Sequence, residues 1–444
     1  MSKIKEQGMK YNLYSWSAQK KIDPIVITKA EGVYFWDEDG NKYYDMSAQM
    51  VNLNLGHGNK ELIQAIKDQA EKMAYISPGY SVDVRSEAAQ KIVELSGLEG
   101  AKVFFVNAGA EANENAMKFA KAYTGKWKFF AAYRSYHGSS FGSSSLTGEP
   151  RKFIAEPAVP GVIHFDGPYA YRAPKACKFD SEEDITEFYL ELLENQILYE
   201  GPEQIAGIFF ETVVGTNGVL IPPKGYYEGV RALCDKYNIL LILDEVMTGF
   251  YRTGTAFAFH QFNVKPDIVT FAKGSTCGYI PFGGVIVSEK IARIFDENKM
   301  FNGLTYSGHP MGCATTIAAI KAYEKYGVEE NVKKQGKVLA NILDTFEQKH
   351  ASVGQVRHIG LFSSIELVRN KETREPLVKF NSDPDGIMPK IVRMLKSEGF
   401  STYSHENMLM VCPPLTITET ELKEAMKIMD KVLDFVDEMI KELQ

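Results

Sequence analysis

An aspartate and a lysine stand at the ends of two apolar runs. Leu240-Leu241-Ile242-Leu243 leads into Asp244, and Ile268-Val269-Thr270-Phe271-Ala272 delivers Lys273, 29 positions further along. Short apolar runs bounded by turn residues read as strands buried on both faces, the habit of a parallel sheet. In open α/β sheets, reactive groups collect beyond the carboxyl ends of the strands, so both residues are expected at one rim. An amine beside a carboxylate is what pyridoxal phosphate chemistry needs: the amine forms a Schiff base and the carboxylate faces the pyridine nitrogen. Taken singly, an aspartate after a strand is more often a cap, and a lysine there a solvated charge. The pair gains weight from the glycine-punctuated loop between them, Thr248-Gly249-Phe250-Tyr251-Arg252-Thr253-Gly254.

The elements that must position this pair can be read along the chain. Apolar runs alternate with amphipathic segments through the middle of the sequence, which is the βαβ pattern of a mostly parallel sheet. Val103-Phe104-Phe105-Val106 reads as a strand, Asn107-Ala108-Gly109-Ala110 as a turn, and a helix begins near Glu111. Small residues at a helix start let backbone N–H groups approach an anion, which the helix dipole also favours. Strands are also expected over 129–133, before Tyr136-His137-Gly138, and over 205–210, before Glu211. A hairpin turns at Asp39-Gly40, residues 60–73 have helical periodicity, and the Thr418/Glu421 spacing caps a long C-terminal helix. Residues 166–176 read as a long surface loop, either functional or a dimer contact.

The stretch from Asp244 to Lys273 resembles the signature of the class III, fold-type I, pyridoxal-phosphate-dependent aminotransferases, and the likeness runs from about Gly32 to Pro414. It implies an α/β fold with a large cofactor-binding domain, 71–325, built on a mostly parallel seven-stranded-type sheet. A smaller α+β domain, 326–444, receives the N-terminal segment 1–70. It implies that Gly109 and Ala110 hold the cofactor phosphate through backbone N–H groups, with Glu111 complementing the helix dipole. Tyr136 and Val246 cover the two faces of the pyridine ring, and His137 shapes the turn. Asp244 keeps the ring nitrogen protonated. Lys273 holds the cofactor and later moves a proton. In Asn302-Gly303-Leu304-Thr305-Tyr306-Ser307-Gly308-His309-Pro310, Thr305 reaches the phosphate of a neighbouring subunit, implying a homodimer or a dimer of dimers.

Within the family, residues 306–310 and 244–249 look most like omega-amino acid and taurine aminotransferases. The expected reaction is therefore ping-pong transfer of an amino group from taurine or a short omega-amino acid to 2-oxoglutarate or pyruvate. A same-fold aminomutase, epimerase or decarboxylase, or a non-catalytic binding protein, are the competing readings. The chain departs from the family pattern in places. Met247 stands where many members have glutamine, and Thr212 replaces a proline after Glu211, which lies near the substrate cleft or pairs with an arginine. Ser139 stands where some relatives carry an arginine, and Tyr403-Ser404-His405-Glu406-Asn407 contains none where others do. An acid group on the substrate must then meet another partner: Arg134 or His405 is expected, with Arg357 and Arg252 as outsiders.

Composition bounds the rest. The 444 residues are 45% hydrophobic and 24% charged, a globular balance too long for one ordinary core. A formal net charge of −7 with dispersed basic residues offers no footprint for nucleic acid or an anionic membrane. Met1 to Lys10 is charged and lacks an apolar core, so no secretory leader is expected. Five scattered cysteines without CxxC spacing fit a reduced, cytoplasmic protein, and none shares ligand spacing with the eight histidines, so no metal is expected.

Overall fold

The computed structural model describes residues 2–174 and 176–442. Seven strands form its central sheet: Lys102–Val106, Lys128–Ala132, Val162–Phe165, Ile205–Glu211, Leu240–Asp244, Ile268–Phe271 and Gly283–Val287. Across the sheet they lie in the order 102–106, 283–287, 268–271, 240–244, 205–211, 128–132, 162–165. Gly283–Val287 runs antiparallel to both neighbours, and the other pairings are parallel. Ile205–Glu211, Leu240–Asp244, Ile268–Phe271 and Gly283–Val287 are buried at every position. With helices and loops covering both faces, no position is left for a polar alternation.

Strand register places the chemistry. Glu211 lies beside Asp244, and Asp244 beside Thr270. Residues paired in register point to the same face, so three polar side chains line up at the carboxyl rim, with Lys273 three residues beyond Thr270. The helix Gly109–Thr124 leaves the first strand, buries Ala112, Ala116, Phe119 and Ala120, and packs across the sheet. It ends at Gly125, whose φ of +68° is a conformation that suits glycine.

Two smaller sheets flank this core. Tyr34–Asp37 and Lys42–Asp45 form the hairpin, and Gly40 takes φ +84° at its turn. Asp37 Oδ1 accepts the backbone N–H groups of Asp39 and Asn41 at 3.0 and 2.8 Å. Ile27–Glu31 extends this sheet on one side and Phe400–Ser401 on the other, so both ends of the chain contribute to it. The third sheet joins Val353–Ile359, Phe362–Asn370, Met408–Val411 and Ser404–His405 in antiparallel order. Against the C-terminal region lies the helix Glu419–Glu442, with Leu422, Met426, Met429, Val432, Leu433, Val436 and Ile440 buried. Each such side chain contributes up to about 1.5–3 kcal/mol of burial. Thr418 Oγ1 accepts the N–H of Glu421, whose carboxylate accepts the N–H of Thr418.

The segment expected as a surface loop, 166–176, is a loop where it is described, and it is anchored at Tyr169 and Arg172. It contains a single 3-10 turn, Ala170–Arg172. Tyr169 is buried, and its hydroxyl and the Arg172 guanidinium both bind the Glu366 carboxylate of the third sheet. A buried carboxylate needs its lone pairs satisfied, and Glu366 draws donors distant in sequence as well as Arg357 from the neighbouring strand. No helix among the described residues is long and apolar enough to cross a membrane.

Candidate active site

Asp244 is buried at the rim with its carboxylate fixed on three sides. Oδ2 accepts from Asn113 Nδ2 at 2.8 Å and lies 2.8 Å from His137 Nδ1, while Oδ1 accepts the N–H of Val246 at 2.9 Å. Asn113 is oriented in turn: its Nδ2 also donates to the carbonyl of His137 at 2.7 Å, and its Oδ1 accepts from Thr270 Oγ1 at 2.8 Å. His137 therefore does more than shape a turn, because its buried ring holds the carboxylate. Asn113 was not singled out from sequence. Its signal was a polar residue on the stripe that Ala112 and Ala116 otherwise bury.

A cavity of about 870 Å³ opens beside this carboxylate, lined by Gly109, Ala110, Tyr136, Asp244, Val246 and Lys273 among others. Burial pulls the Lys273 amine down to about 8, against the opposing pull of Asp244 and Glu211. Gly109 is required by close approach: a Cβ there would stand 2.9 Å from Val246 Cγ2. Gly138 is tighter still, with a hypothetical Cβ 2.6 Å from that of Ala110 and φ at +133°. The first N–H groups of the 109–124 helix have no intrahelical partner, and they start at this wall.

Glu211 lines the cavity without an arginine partner. Its two oxygens accept the N–H groups of Tyr136 and Gly215, each at 2.8 Å. Burial pushes its carboxyl up to about 7, with His137 opposing and Asp244 adding to the rise. Gly215 gives Met247 room, since a Cβ on it would lie 2.3 Å from the Met247 Sδ.

The other expected residues scatter. His405 lines the cavity with Nε2 3.1 Å from Asn217 Oδ1, and burial, with Arg151 and Arg134 nearby, pulls its pKa down to about 4. Arg134 lines a neighbouring cavity that shares Glu211, its guanidinium set against the rings of Tyr169 and Phe380 at 5.0 and 5.4 Å. Arg252 is fully buried and donates to the carbonyls of Leu361 and Pro413 and to Asn54 Oδ1. Arg357 pairs with Glu366 at 2.8 Å. Thr305 is exposed in a turn outside the cavity lining, and its carbonyl accepts from Tyr75 Oη at 2.8 Å.

The guanidinium that does line the cavity belongs to Arg151, which sequence reasoning passed over because it sits in no motif. Its Nε binds Glu149, its Cζ lies 3.9 Å from the centroid of the Tyr136 ring, and its Nη2 is buried without a hydrogen-bond partner among the described residues. Trp16, brought in from the N-terminal segment, lines the same cavity.

These residues fit pyridoxal phosphate on their own chemistry: a lysine amine of lowered pKa, an oriented carboxylate, and a helix start kept free of side chains. The fold and the site together define a fold-type I transaminase. Residues 16–433 match the model of the aminotransferase class-III family, and the chain belongs to that family. A taurine:2-oxoglutarate aminotransferase from Bifidobacterium kashiwanohense, solved with pyridoxal phosphate and glutamate, is 44% identical with a TM-score of 0.95, covering 98% of each chain. An (S)-enantioselective omega-transaminase from Thermomicrobium roseum is 34% identical with a TM-score of 0.92, again over 98% of each. The taurine–pyruvate aminotransferase of Bilophila wadsworthia is 33% identical over 446 residues, spanning 97% of this chain and 96% of that one. The protein is thus a pyridoxal-phosphate-dependent transaminase.

Proposed function

We propose that this transaminase takes its amino group from taurine or a short omega-amino acid and passes it to 2-oxoglutarate or pyruvate in two half reactions. The observation that carries the donor class is the Arg151 guanidinium, which lines the cavity that holds Lys273 and whose Nη2 has no hydrogen-bond partner among the described residues. A guanidinium suits carboxylate or sulfonate oxygens, so an acid group is expected to bind its Nη side. His405, held neutral by its burial, supplies hydrogen bonding beside it rather than charge, and Arg134 acts from the neighbouring cavity.

Bound pyridoxal phosphate supplies an electron sink for the carbanion formed when the substrate carbon loses its proton. Gly109 and Ala110 offer backbone N–H groups to its phosphate, and Tyr136 and Val246 confine its ring. Asp244, fixed by Asn113, His137 and the N–H of Val246, would hold the ring nitrogen in its protonated form. Lys273 would anchor the cofactor, and its Nζ would take the proton from the substrate carbon that bears the amine. Glu211 holds the Tyr136 backbone in place. Thr305 acts across a homodimer interface on the partner's cofactor phosphate. Five free cysteines, four of them buried, fit a cytoplasmic site of action.

Arg151→Ala tests the donor class. It is expected to raise the Michaelis constant for taurine and beta-alanine by roughly ten- to a hundredfold, the worth of about 1.5–3 kcal/mol for a charged hydrogen bond. Uncharged amines should be spared. Equal effects on acidic and neutral amines would remove the anchor and with it the donor assignment.

A further inference from the structure

The wall that offers Arg151 to the substrate also carries a negative charge at contact distance. Glu149 is buried and lines the same cavity. Its Oε1 accepts from Arg151 Nε, and its Oε2 accepts the Arg151 backbone N–H at 3.3 Å and lies 4.0 Å from His405 Nε2. It thereby caps the two-turn 3-10 helix Pro150–Ala155 on which Arg151 sits. With the Tyr136 ring beneath the guanidinium and Glu149 along its Nε edge, the Nη side of the guanidinium is what remains for a ligand. The arginine is therefore both aligned and neutralised before any substrate arrives. Arg134 also acts through space on His405 and Glu406, but its guanidinium is set against Tyr169 and Phe380 and lines the neighbouring cavity. Glu406 is a further carboxylate, accepting the Asn381 N–H at 2.7 Å. Glu211 is bound to two backbone N–H groups, and Lys273 is committed to the cofactor.

Physical chemistry then separates ligands by charge. The cost of taking an ion out of water grows as the square of its charge, whereas attraction to a fixed cation grows linearly. A neutralised guanidinium still gives a single anion its directional hydrogen bonds, but provides little field to hold a second charge. We infer that Glu149 is a charge filter, admitting acid groups with one negative charge (sulfonate or carboxylate) and rejecting dianionic ones such as phosphonate. The inference rests on the reading that Arg151 receives the acid group, and it makes Glu149 a specificity-determining residue rather than a structural cap alone.

The test is calorimetric binding to the holoenzyme, with two probes that lack an amine and cannot react: 2-hydroxyethanesulfonate and 2-hydroxyethylphosphonate. At about pH 8.5 the phosphonate carries close to two charges, its second ionisation resembling that of a phosphate ester. The wild type is expected to bind the sulfonate and to bind the phosphonate at least roughly a hundredfold more weakly. Glu149→Gln keeps an oxygen acceptor for Arg151 Nε and removes the charge. It should tighten the sulfonate on the order of tenfold and the phosphonate on the order of a hundredfold, because the second ligand feels the lost repulsion twice. Glu149→Ala, which also loses the alignment, should tighten neither probe as much. A comparison without any variant uses the wild type at about pH 5.5, where the phosphonate is a monoanion and should bind like the sulfonate measured at the same pH. Equal shifts for the two probes in Glu149→Gln, or a phosphonate that binds as well as sulfonate at pH 8.5, would overturn the filter while Arg151-dependent sulfonate binding stands. Sulfonate binding that is absent, or indifferent to Arg151→Ala, would overturn the anchor and the filter together.

Discussion

Burial sets the working range of Lys273. Its amine has an ordinary value of 10.5 and is drawn down to about 8 by desolvation, with Asp244 and Glu211 limiting the drop. Its backbone sits at φ +41°, left-handed territory that a side chain enters at a cost of about 1–3 kcal/mol and that recurs at functional sites. Only the neutral amine attacks an aldehyde. Since the folded-state value is lowered, the neutral fraction grows as pH rises and saturates above about 8. The apoenzyme should therefore recombine with pyridoxal phosphate roughly tenfold faster per pH unit below 8 and level off above it. Stopped-flow absorbance reads this, and a rate still climbing toward pH 10 would show an unperturbed lysine. The rim positions of Asp244 and Lys273 were legible in sequence because each follows a short, largely apolar run that reads as a buried strand. Asn113, Glu149 and Arg151 were not, since their roles arise from contacts across 131 positions for Asn113 with Asp244 and within a motif-free turn for the other two.

At the scale of elements, one carboxylate organises the loop that follows Asp244. Glu245 is fully buried and accepts from Thr212 Oγ1, Thr248 Oγ1 and the N–H groups of Ala258 and Phe259. It thus pins the start of the glycine-punctuated loop to its far end, fixing the path that presents Val246 and Met247 to the cavity. Glu245→Ala would leave those donors buried without an acceptor and should lower unfolding free energy by about 3–5 kcal/mol in urea titration. A loss under about 1 kcal/mol would mean that the loop holds itself. The central strands, the Asp39-Gly40 hairpin and the capped C-terminal helix could be read from periodicity and turn chemistry. The docking of 166–176 could not, because Glu366 lies about 200 positions from Tyr169 and leaves no local pattern.

Over the whole molecule, the sheet in which Phe400 pairs with Tyr44 and Ser401 with Asp45 joins the N-terminal segment to the C-terminal region, in keeping with the proposal that 1–70 contributes to the small domain. The proposed dimer rests on a different region. Thr305 is exposed, and Tyr75, Tyr80, Phe301 and Tyr306 are exposed apolar residues of the surrounding stretches, a surface suited to burial against a second copy. Thr305→Ala should weaken cofactor binding by about 1.5–3 kcal/mol, one charge-assisted hydrogen bond, as measured by equilibrium dialysis. A fully loaded, active monomer would contradict the shared site. The central claim, a lysine-held cofactor that carries an amino group from an omega-amino acid to an oxo acid, is tested most directly by mixing holoenzyme with taurine and no acceptor. The account predicts that one amine is consumed per site and the bound cofactor converts fully to its aminated form. The reaction then stops until 2-oxoglutarate or pyruvate restores the original spectrum. Continued consumption of donor without an oxo acid, or no spectral change with taurine and every short omega-amino acid, would contradict it.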